Sequence, residues 1–312
     1  MMAGFSYVAL VTPPDKHPVY MAFFEATILV GVLLGNTLNA AIVDTLGLDV
    51  MAYISAGASI LPNLIIIFSV SSNTKHLKTS EEKWRWKEIL GWRNLLSAFH
   101  CILKKRPGKG RILLILTFLM YAGSFISSIG FSTTSFLYFT KEKGMTVTLY
   151  SSFLIYEEAM KGLGGSFILL AISMCKKPVD YFHLLITGYV FDISAFIIMS
   201  LPFYPVGAWI GGAMFVGHTI ARAQVRALQA QLCGRDELGK MFAFDSIYQV
   251  IVNNAVSIGY RAVYSATLEV WPECSFSLCA LVLLMSMVVA VFVSFLKQRH
   301  ELLLKDDSNN ST

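Results

Sequence analysis

Residues 275–296 read SFSLCALVLLMSMVVAVFVSFL, an apolar run without a charged residue. About 20 apolar helical residues cross the hydrocarbon core of a bilayer, which is roughly 30 Å thick, so this run predicts a transmembrane helix. Seven further apolar stretches of about this length precede it: 19–43, 50–71, 112–138, 148–174, 179–201, 204–223 and 240–266. The chain is therefore predicted to be an all-α, polytopic membrane protein with about eight transmembrane helices.

The composition excludes an ordinary soluble domain. Of 312 residues, 55% are hydrophobic and only 14% are charged, whereas a soluble globular chain carries roughly 25% charged residues. Most of the charged residues lie between the apolar stretches, which is the distribution expected of loops that connect membrane spans.

Basic residues concentrate on one side of the predicted membrane. Eleven Lys and Arg lie between the second and third spans, whereas Lys141 and Lys143 occupy the opposite side. Because cytoplasmic loops of membrane proteins carry the excess of Lys and Arg, both termini are predicted to be cytoplasmic.

The longest polar stretch, residues 72–111, has an amphipathic pattern. Its apolar residues recur at steps of three and four, at Ile89, Trp92, Leu96, Phe99 and Leu103. This spacing predicts a helix, and the basic run at residues 104–106 follows it. We interpret it as a basic amphipathic helix that either lies on the inner membrane surface or packs on the helix bundle.

Five segments carry a resemblance to a known family. They are the opening segment from SYVALVT at 6–12 through FFEA at 23–26, LKKRPGKGR at 103–111, FLY at 136–138, ARAQVRALQ at 221–229 and DELGKMFA at 236–243. In order and spacing they resemble solute carrier family 46, the family of the proton-coupled folate transporter, within the major facilitator superfamily. Three positions depart from that pattern: Leu10 stands where the family usually has Asp, Tyr20 where it has a basic residue, and Ser124 falls in the stretch where the folate transporter has a histidine linked to proton coupling.

The resemblance implies a bundle of two six-helix halves with the substrate site between them. The chain corresponds to the end of helix four through helix twelve. Residues 1–71 would be a remnant of the N-terminal half, 72–111 the cytoplasmic loop, 112–298 a complete six-helix C-terminal half and 299–312 a cytoplasmic tail. The chain is accordingly expected to be N-terminally truncated, as a fragment or a truncated paralogue, and not to transport by itself.

Ionisable residues inside a span cost about 2.5 to 3.5 kcal/mol each on insertion scales, so they are candidate functional residues. Glu25 matches the family's glutamate in helix five, which is associated with proton coupling, although a structural partner for a neighbouring helix is the equal alternative. Glu157 and Lys161 are spaced i, i+4 and are predicted to form a structural charge pair. That pair would leave Glu158 as the unpaired carboxylate.

Two further groups of residues are candidates for lining a pathway for a solute or an ion. Tyr121, Ser124 and Ser128 belong to a hydroxyl-rich face of the third span, which either lines a cavity or satisfies its own helix backbone. Asn253 and Ser257 lie in the middle of the seventh span, where they would meet a substrate or a neighbouring helix.

Three more polar residues have alternative interpretations. Arg222 matches an arginine that the folate transporter uses, and its alternative role is an anchor at the inner membrane surface. For Asp192, a packing hydrogen bond or a protonated acid is preferred over a role in transport. His218 is expected to be isolated and interfacial.

These observations favour a secondary carrier of a small organic solute, an organic anion, with a proton as a candidate coupling ion. The alternative is a transport-inactive paralogue or fragment that binds or regulates a full-length membrane relative. No enzymatic activity, cofactor, metal or nucleic-acid partner is expected, because the sequence lacks the motifs of metal and phosphate sites. The plasma membrane is the expected location and the lysosomal membrane is the alternative.

Overall fold

The computed structural model describes residues 92–106, 109–174, 180–234 and 237–310, together with scattered positions between 8 and 60. Clustering of contacts divides the chain into two compact units, one of Met1–Gly31 with Leu96–Thr312 and the other of Val32–Leu95. The described part of the second unit consists of isolated helical positions and the first residues of one helix. The first unit contains the helix bundle.

The described secondary structure is helical, as the sequence predicts. Its α-helices are α1 (Trp92–Leu103), α2 (Gly110–Leu137), α3 (Val147–Ala159), α4 (Gly165–Met174), α5 (Tyr181–Ser200), α6 (Val206–Met214), α7 (Val216–Leu232), α8 (Leu238–Thr267) and α9 (Cys274–Asn310). A π-helical turn, Tyr138–Glu142, extends α2, and a second one, Met160–Gly164, joins α3 to α4.

Three of these helical segments are long and apolar enough to cross a membrane: Gly110–Glu142, Tyr181–Ser200 and Cys274–Lys297. The predicted fourth span is interrupted by the second π-helical turn, and the predicted sixth span is divided between α6 and α7, which meet at Phe215. The first two predicted spans lie mostly outside the described residues, so the total of eight stays a prediction, as does the four-part division of the chain.

Local sequence explains several helix boundaries. The side chain of Thr146 accepts a hydrogen bond from the backbone N–H of Leu149 at the start of α3 (3.3 Å). Asp180 caps α5 in the same way through Phe182 N–H (3.2 Å). Such caps satisfy backbone donors that the first helical turn leaves free. The turn before α3 contains Gly144 at φ 66°, a conformation that glycine adopts without steric cost.

Helices α2 and α5 lie at the centre of the described bundle. α2 packs against α9, α8 and α7, and α5 packs against α7, α9 and α6. α5 and α7 approach closely at two glycines: a Cβ added to Gly217 would lie 2.4 Å from the Gly188 carbonyl oxygen. Backbones can come this close only where neither residue has a side chain, which is how many membrane helices associate.

Helix α1 occurs where the amphipathic pattern predicts a helix, and the described part of its apolar stripe is exposed. Leu96, Phe99 and Leu103 are exposed, whereas Cys101 and Ile102 are buried. The buried side of α1 faces the loop that follows α7, where the Cys101 thiol lies 4.0 Å from the Glu237 carbonyl oxygen. The loop that follows α1 is attached to this second loop.

That attachment is ionic. Arg106 Nη2 donates to Glu237 Oε2 (2.7 Å), Lys104 Nζ donates to Glu237 Oε1 (2.5 Å), and Arg106 Nη1 donates to the Leu232 carbonyl (3.1 Å). The hydrogen bond from Lys104, followed by the charge and the hydrogen bond of Arg106, lowers the pKa of Glu237 although partial burial opposes the change. The basic loop is thereby held to the end of α7.

Candidate functional site

Helix α7 carries three basic side chains on one face. His218, Arg222 and Arg226 are spaced i, i+4 and i+8, so they follow one another along the helix. His218 is 6% exposed and Arg226 is fully buried, while Arg222 is half-buried. A face of this kind inside a bundle of apolar helices requires polar partners, and α2 and α5 provide them.

The hydroxyl group of Tyr121 on α2 accepts a hydrogen bond from each of the two arginines. Arg222 Nη2 donates to the Tyr121 hydroxyl oxygen at 2.8 Å, and Arg226 Nη2 donates to the same oxygen at 2.7 Å. The two guanidinium carbons lie 5.4 and 5.3 Å from the centroid of the tyrosine ring, within the range of cation–π attraction. Tyr121 itself is fully buried. The arrangement holds two positive charges beside one phenol in the interior of the bundle.

His218 connects this pair of arginines to Asp192 of α5. Arg222 Nη1 lies 3.2 Å from His218 Nε2, and His218 Nδ1 lies 3.3 Å from Asp192 Oδ2. Asp192 is 1% exposed. The polar groups therefore form a continuous chain from Asp192 through His218 and Arg222 to Tyr121.

Lys161 lies on the second π-helical turn and faces the same region. Its ammonium group contacts the carboxylate of Glu157 and lies 3.4 Å from Glu158 Oε1. The rings of Phe215 and Phe131 flank it, with centroids at 5.1 and 5.5 Å. π-Helical turns often occur at functional sites because they redirect a side chain. Here the turn places a charged amine among aromatic rings.

A small polar cavity separates Lys161 from Asp192 and His218. Its free volume is about 10 Å³, which is the size of roughly one water molecule. Asp192 Oδ1 is buried and accepts no hydrogen bond from the residues that the structure describes. The cavity is lined by Ser124, Ser127, Ser128, Phe131, Lys161, Asp192, Phe196, Phe215, His218 and Leu283.

The structure brings some of the predicted site residues together and leaves others apart. Tyr121 and Arg222 are in direct contact, and Ser124 and Ser128 line the adjacent cavity. By contrast, Asn253 is exposed and Ser257 is half-buried on α8, outside this cluster. Glu25 lies outside the described residues.

Two expectations from the sequence are corrected by the geometry. His218 is not isolated or interfacial, because it is buried and contacts both Asp192 and Arg222. Glu158 has a partner, because the ammonium group of Lys161 contacts the carboxylates of both Glu157 and Glu158.

Arg226, which is buried beside Arg222, is not among the residues predicted from the sequence. Its i, i+4 spacing from Arg222 is the signal in the sequence that points to it. It lies beyond the predicted sixth span, which ends at residue 223, whereas α7 continues to Leu232.

Comparison with known proteins gives a consistent result. The family profile described as Major Facilitator Superfamily matches residues 1–253. The chain is also similar to the lysosomal proton-coupled steroid conjugate and bile acid symporter SLC46A3 of Pongo abelii, with 21% identity over 262 residues. That alignment covers 83% of this chain and 56% of the relative. The resemblance to solute carrier family 46 is thereby confirmed, and the chain spans little more than half of this relative's length.

Proposed function

The chain belongs to the Major Facilitator Superfamily and is a multi-pass membrane protein, and on that premise we propose that it binds a small organic anion within its helix bundle for secondary transport. The observation that carries the proposal is the pair of arginines on Tyr121. Charged groups inside a membrane protein are costly and mark pathways for substrates or ions. Two guanidinium groups beside each other favour an anionic ligand, since each presents several hydrogen-bond donors and no acceptor.

Arg222 is the arginine that such a ligand would meet first. It is half-buried, whereas Arg226 and Tyr121 are fully buried behind it. We therefore assign ligand contact to Arg222, and we assign to Arg226 and Tyr121 the task of holding the Arg222 guanidinium in place. Ser124 and Ser128 would contribute hydroxyl groups from the adjacent face of α2.

The relative's name suggests the class of anion. It is a symporter of steroid conjugates and bile acids, and both are amphipathic molecules that carry a negative charge at physiological pH. A bile acid such as taurocholate is therefore the first probe for this chain. Glu25 and Glu158 remain the carboxylates proposed from the sequence to take part in proton coupling, and the lysosomal membrane becomes a location to test alongside the plasma membrane.

Binding of radiolabelled taurocholate to the purified chain in lipid nanodiscs tests the proposal. We expect saturable binding that Arg222→Met weakens roughly tenfold to hundredfold, because a hydrogen bond to a charged group contributes about 1.5 to 3 kcal/mol. Arg222→Lys should lose less, since it keeps the positive charge but not the planar fork of donors. Size-exclusion profiles verify that each variant is folded.

Arg261→Gln is the matched control, because Arg261 is an exposed arginine of α8 outside the cluster. Equal affinities of the wild type and the Arg222 and Arg261 variants would contradict the proposal. Uptake of the same probe into proteoliposomes then tests transport itself. Co-purification with a full-length relative, without uptake, would support the alternative of a regulatory partner.

A further inference from the structure

We propose that His218, opposed by Asp192, is a proton-binding site that Arg222 covers and that an anionic ligand uncovers. The part that concerns the ligand rests on the function proposed above. The site differs from the carboxylates singled out from the sequence, since it joins α7 to α5 through two residues that are 26 positions apart.

The positions of the hydrogen atoms follow from the partners of the imidazole. A guanidinium group only donates hydrogen bonds, so His218 Nε2, which lies 3.2 Å from Arg222 Nη1, must be the acceptor. The imidazole is then neutral and carries its hydrogen on Nδ1, which donates to Asp192 Oδ2 at 3.3 Å. In this arrangement Arg222 occupies the one lone pair on which a second proton would bind.

The charges around His218 explain why it stays neutral while Arg222 is in place. A cationic imidazole would lie against the guanidinium of Arg222 on the same helix and close to two other cations. Among the residues that the structure describes, the ionisable groups near the pair are Tyr121 on α2, Glu157 and Glu158 on α3, Lys161 on the π-helical turn, Tyr189 on α5, and Arg222 and Arg226 on α7. Helix α4, which also packs on α7, contains no ionisable residue.

An anionic ligand changes this balance. If the Arg222 guanidinium turns toward the ligand, Nε2 of His218 loses its donor and exposes a lone pair. A proton from water then binds to Nε2, Nδ1 keeps its own hydrogen, and the imidazolium faces the Asp192 carboxylate. The ligand adds one negative charge and the proton adds one positive charge, so the net charge of the site is the same before and after both have bound. Binding of either one therefore favours binding of the other.

The cavity next to the pair makes proton delivery feasible. It has room for about one water molecule, it is lined by both Asp192 and His218, and the free oxygen Oδ1 of Asp192 is buried at the same site. The serine hydroxyls of α2 that line it, at positions 124, 127 and 128, can accept and donate hydrogen bonds to such a water. A proton thus needs only a short path to reach the imidazole.

Nitrogen-15 NMR of histidine-labelled protein in nanodiscs tests the proposal without any ligand. The chain has six histidines, and His218→Gln identifies the signal of His218. Between about pH 5 and 8, the range in which histidine normally titrates, we expect little doubly protonated His218 in the wild type. In Arg222→Met, which removes the donor, that fraction should rise severalfold at about pH 6. Arg222→Lys, which keeps a cationic donor, should resemble the wild type.

A double variant and a ligand complete the test. Adding Asp192→Asn to Arg222→Met should lower the doubly protonated fraction again, because the imidazolium loses its opposing carboxylate. Taurocholate bound to the wild type should raise the fraction and take up about one proton per molecule bound, measured with a pH-sensitive dye in weakly buffered solution.

The outcomes separate the two proposals. Failure of taurocholate to bind counts against the proposed ligand class, while the ligand-free variants still decide the role of His218. If His218 has the same protonation in Arg222→Met as in the wild type, the proton site is ruled out. If Arg222→Met behaves as expected but bound taurocholate leaves His218 neutral, the link between proton and ligand is ruled out.

Discussion

At the scale of single residues, Lys161 and Glu157 form a buried pair of opposite charges. The ammonium group of Lys161 and the carboxylate of Glu157 are both nearly inaccessible, with side-chain exposures of 8% and 1%. Burying either charge alone would be strongly unfavourable, because the protein interior does not replace the water that solvates it. Each of the two charges therefore requires a partner, and Glu158 and the rings of Phe131 and Phe215 also lie near the ammonium group.

We predict that Lys161→Met destabilises the bundle by about 3 to 5 kcal/mol, since it leaves Glu157 as a buried charge without its partner. The double variant Lys161→Met with Glu157→Gln should recover most of that loss. Thermal unfolding in detergent, followed by the fluorescence of a thiol-reactive dye, ranks the stability of the wild type, the single variant and the double variant. A double variant as unstable as the single one would show that the pair does not act as a unit.

At the scale of helices, close backbone contact rather than side-chain volume joins α5 to α7. The Gly188–Gly217 contact brings the two helices together near the residues of the polar chain, which lie at 192 on α5 and at 218 and 222 on α7. The distance between Asp192 and His218 thus depends on how closely these helices approach. Similarly, Gly207 and Gly211 of α6 lie close to the backbone of α5.

We predict that Gly217→Val separates α5 from α7 and destabilises the bundle by at least about 1 to 3 kcal/mol, the usual cost of overpacking. A Cβ at this position would lie 2.4 Å from a backbone oxygen that cannot rotate away. The thermal midpoint in detergent should fall accordingly.

The control is Gly259→Ala on α8, where an added Cβ meets no atom of the described residues within 4 Å. This substitution should leave the midpoint unchanged or raise it slightly, because alanine favours a helix over glycine by roughly 0.5 to 1 kcal/mol. Equal losses in both variants would mean that the close contact of α5 and α7 does not stabilise the bundle.

At the scale of the whole molecule, charge distribution sets the expected orientation. The basic loop before α2 and the loop after α7 are attached through Arg106 and Glu237, so both must lie on the same side of the membrane. On the opposite side, Lys143 forms an ion pair with Glu273 (3.0 Å), linking the end of α2 to the start of α9. The two ionic contacts occur at opposite ends of α2.

We predict that a cysteine placed at Lys143 reacts with a membrane-impermeant thiol reagent added outside intact cells, and that one placed at Lys109 does not. Positive charges favour the cytoplasmic side, and Lys109 belongs to the basic loop. After permeabilisation both positions should react, which verifies that each cysteine is accessible. The reverse pattern in intact cells would overturn the predicted orientation.

The sequence by itself was enough to predict an all-α membrane protein, and the resemblance of its segments to solute carrier family 46 added the expectation of the major facilitator type. Hydropathy, helical spacing and positive charge in loops are properties of consecutive residues. They do not depend on how the helices pack against one another. The spacing of Glu157 and Lys161 is local in the same sense, because both lie on one continuous helical segment.

Only the tertiary structure placed His218 against Asp192 and brought both Arg222 and Arg226 to the hydroxyl of Tyr121. Those contacts depend on how far each helix is rotated about its axis and on the glycines that let α5 and α7 touch. The sequence pattern also made the buried end of α7 resemble a loop, since its polar face lowers the hydropathy. In the bundle, Tyr121 of α2 accepts hydrogen bonds from Arg222 and Arg226, and Asp192 of α5 accepts one from His218. These contacts between helices cannot be read from one segment alone.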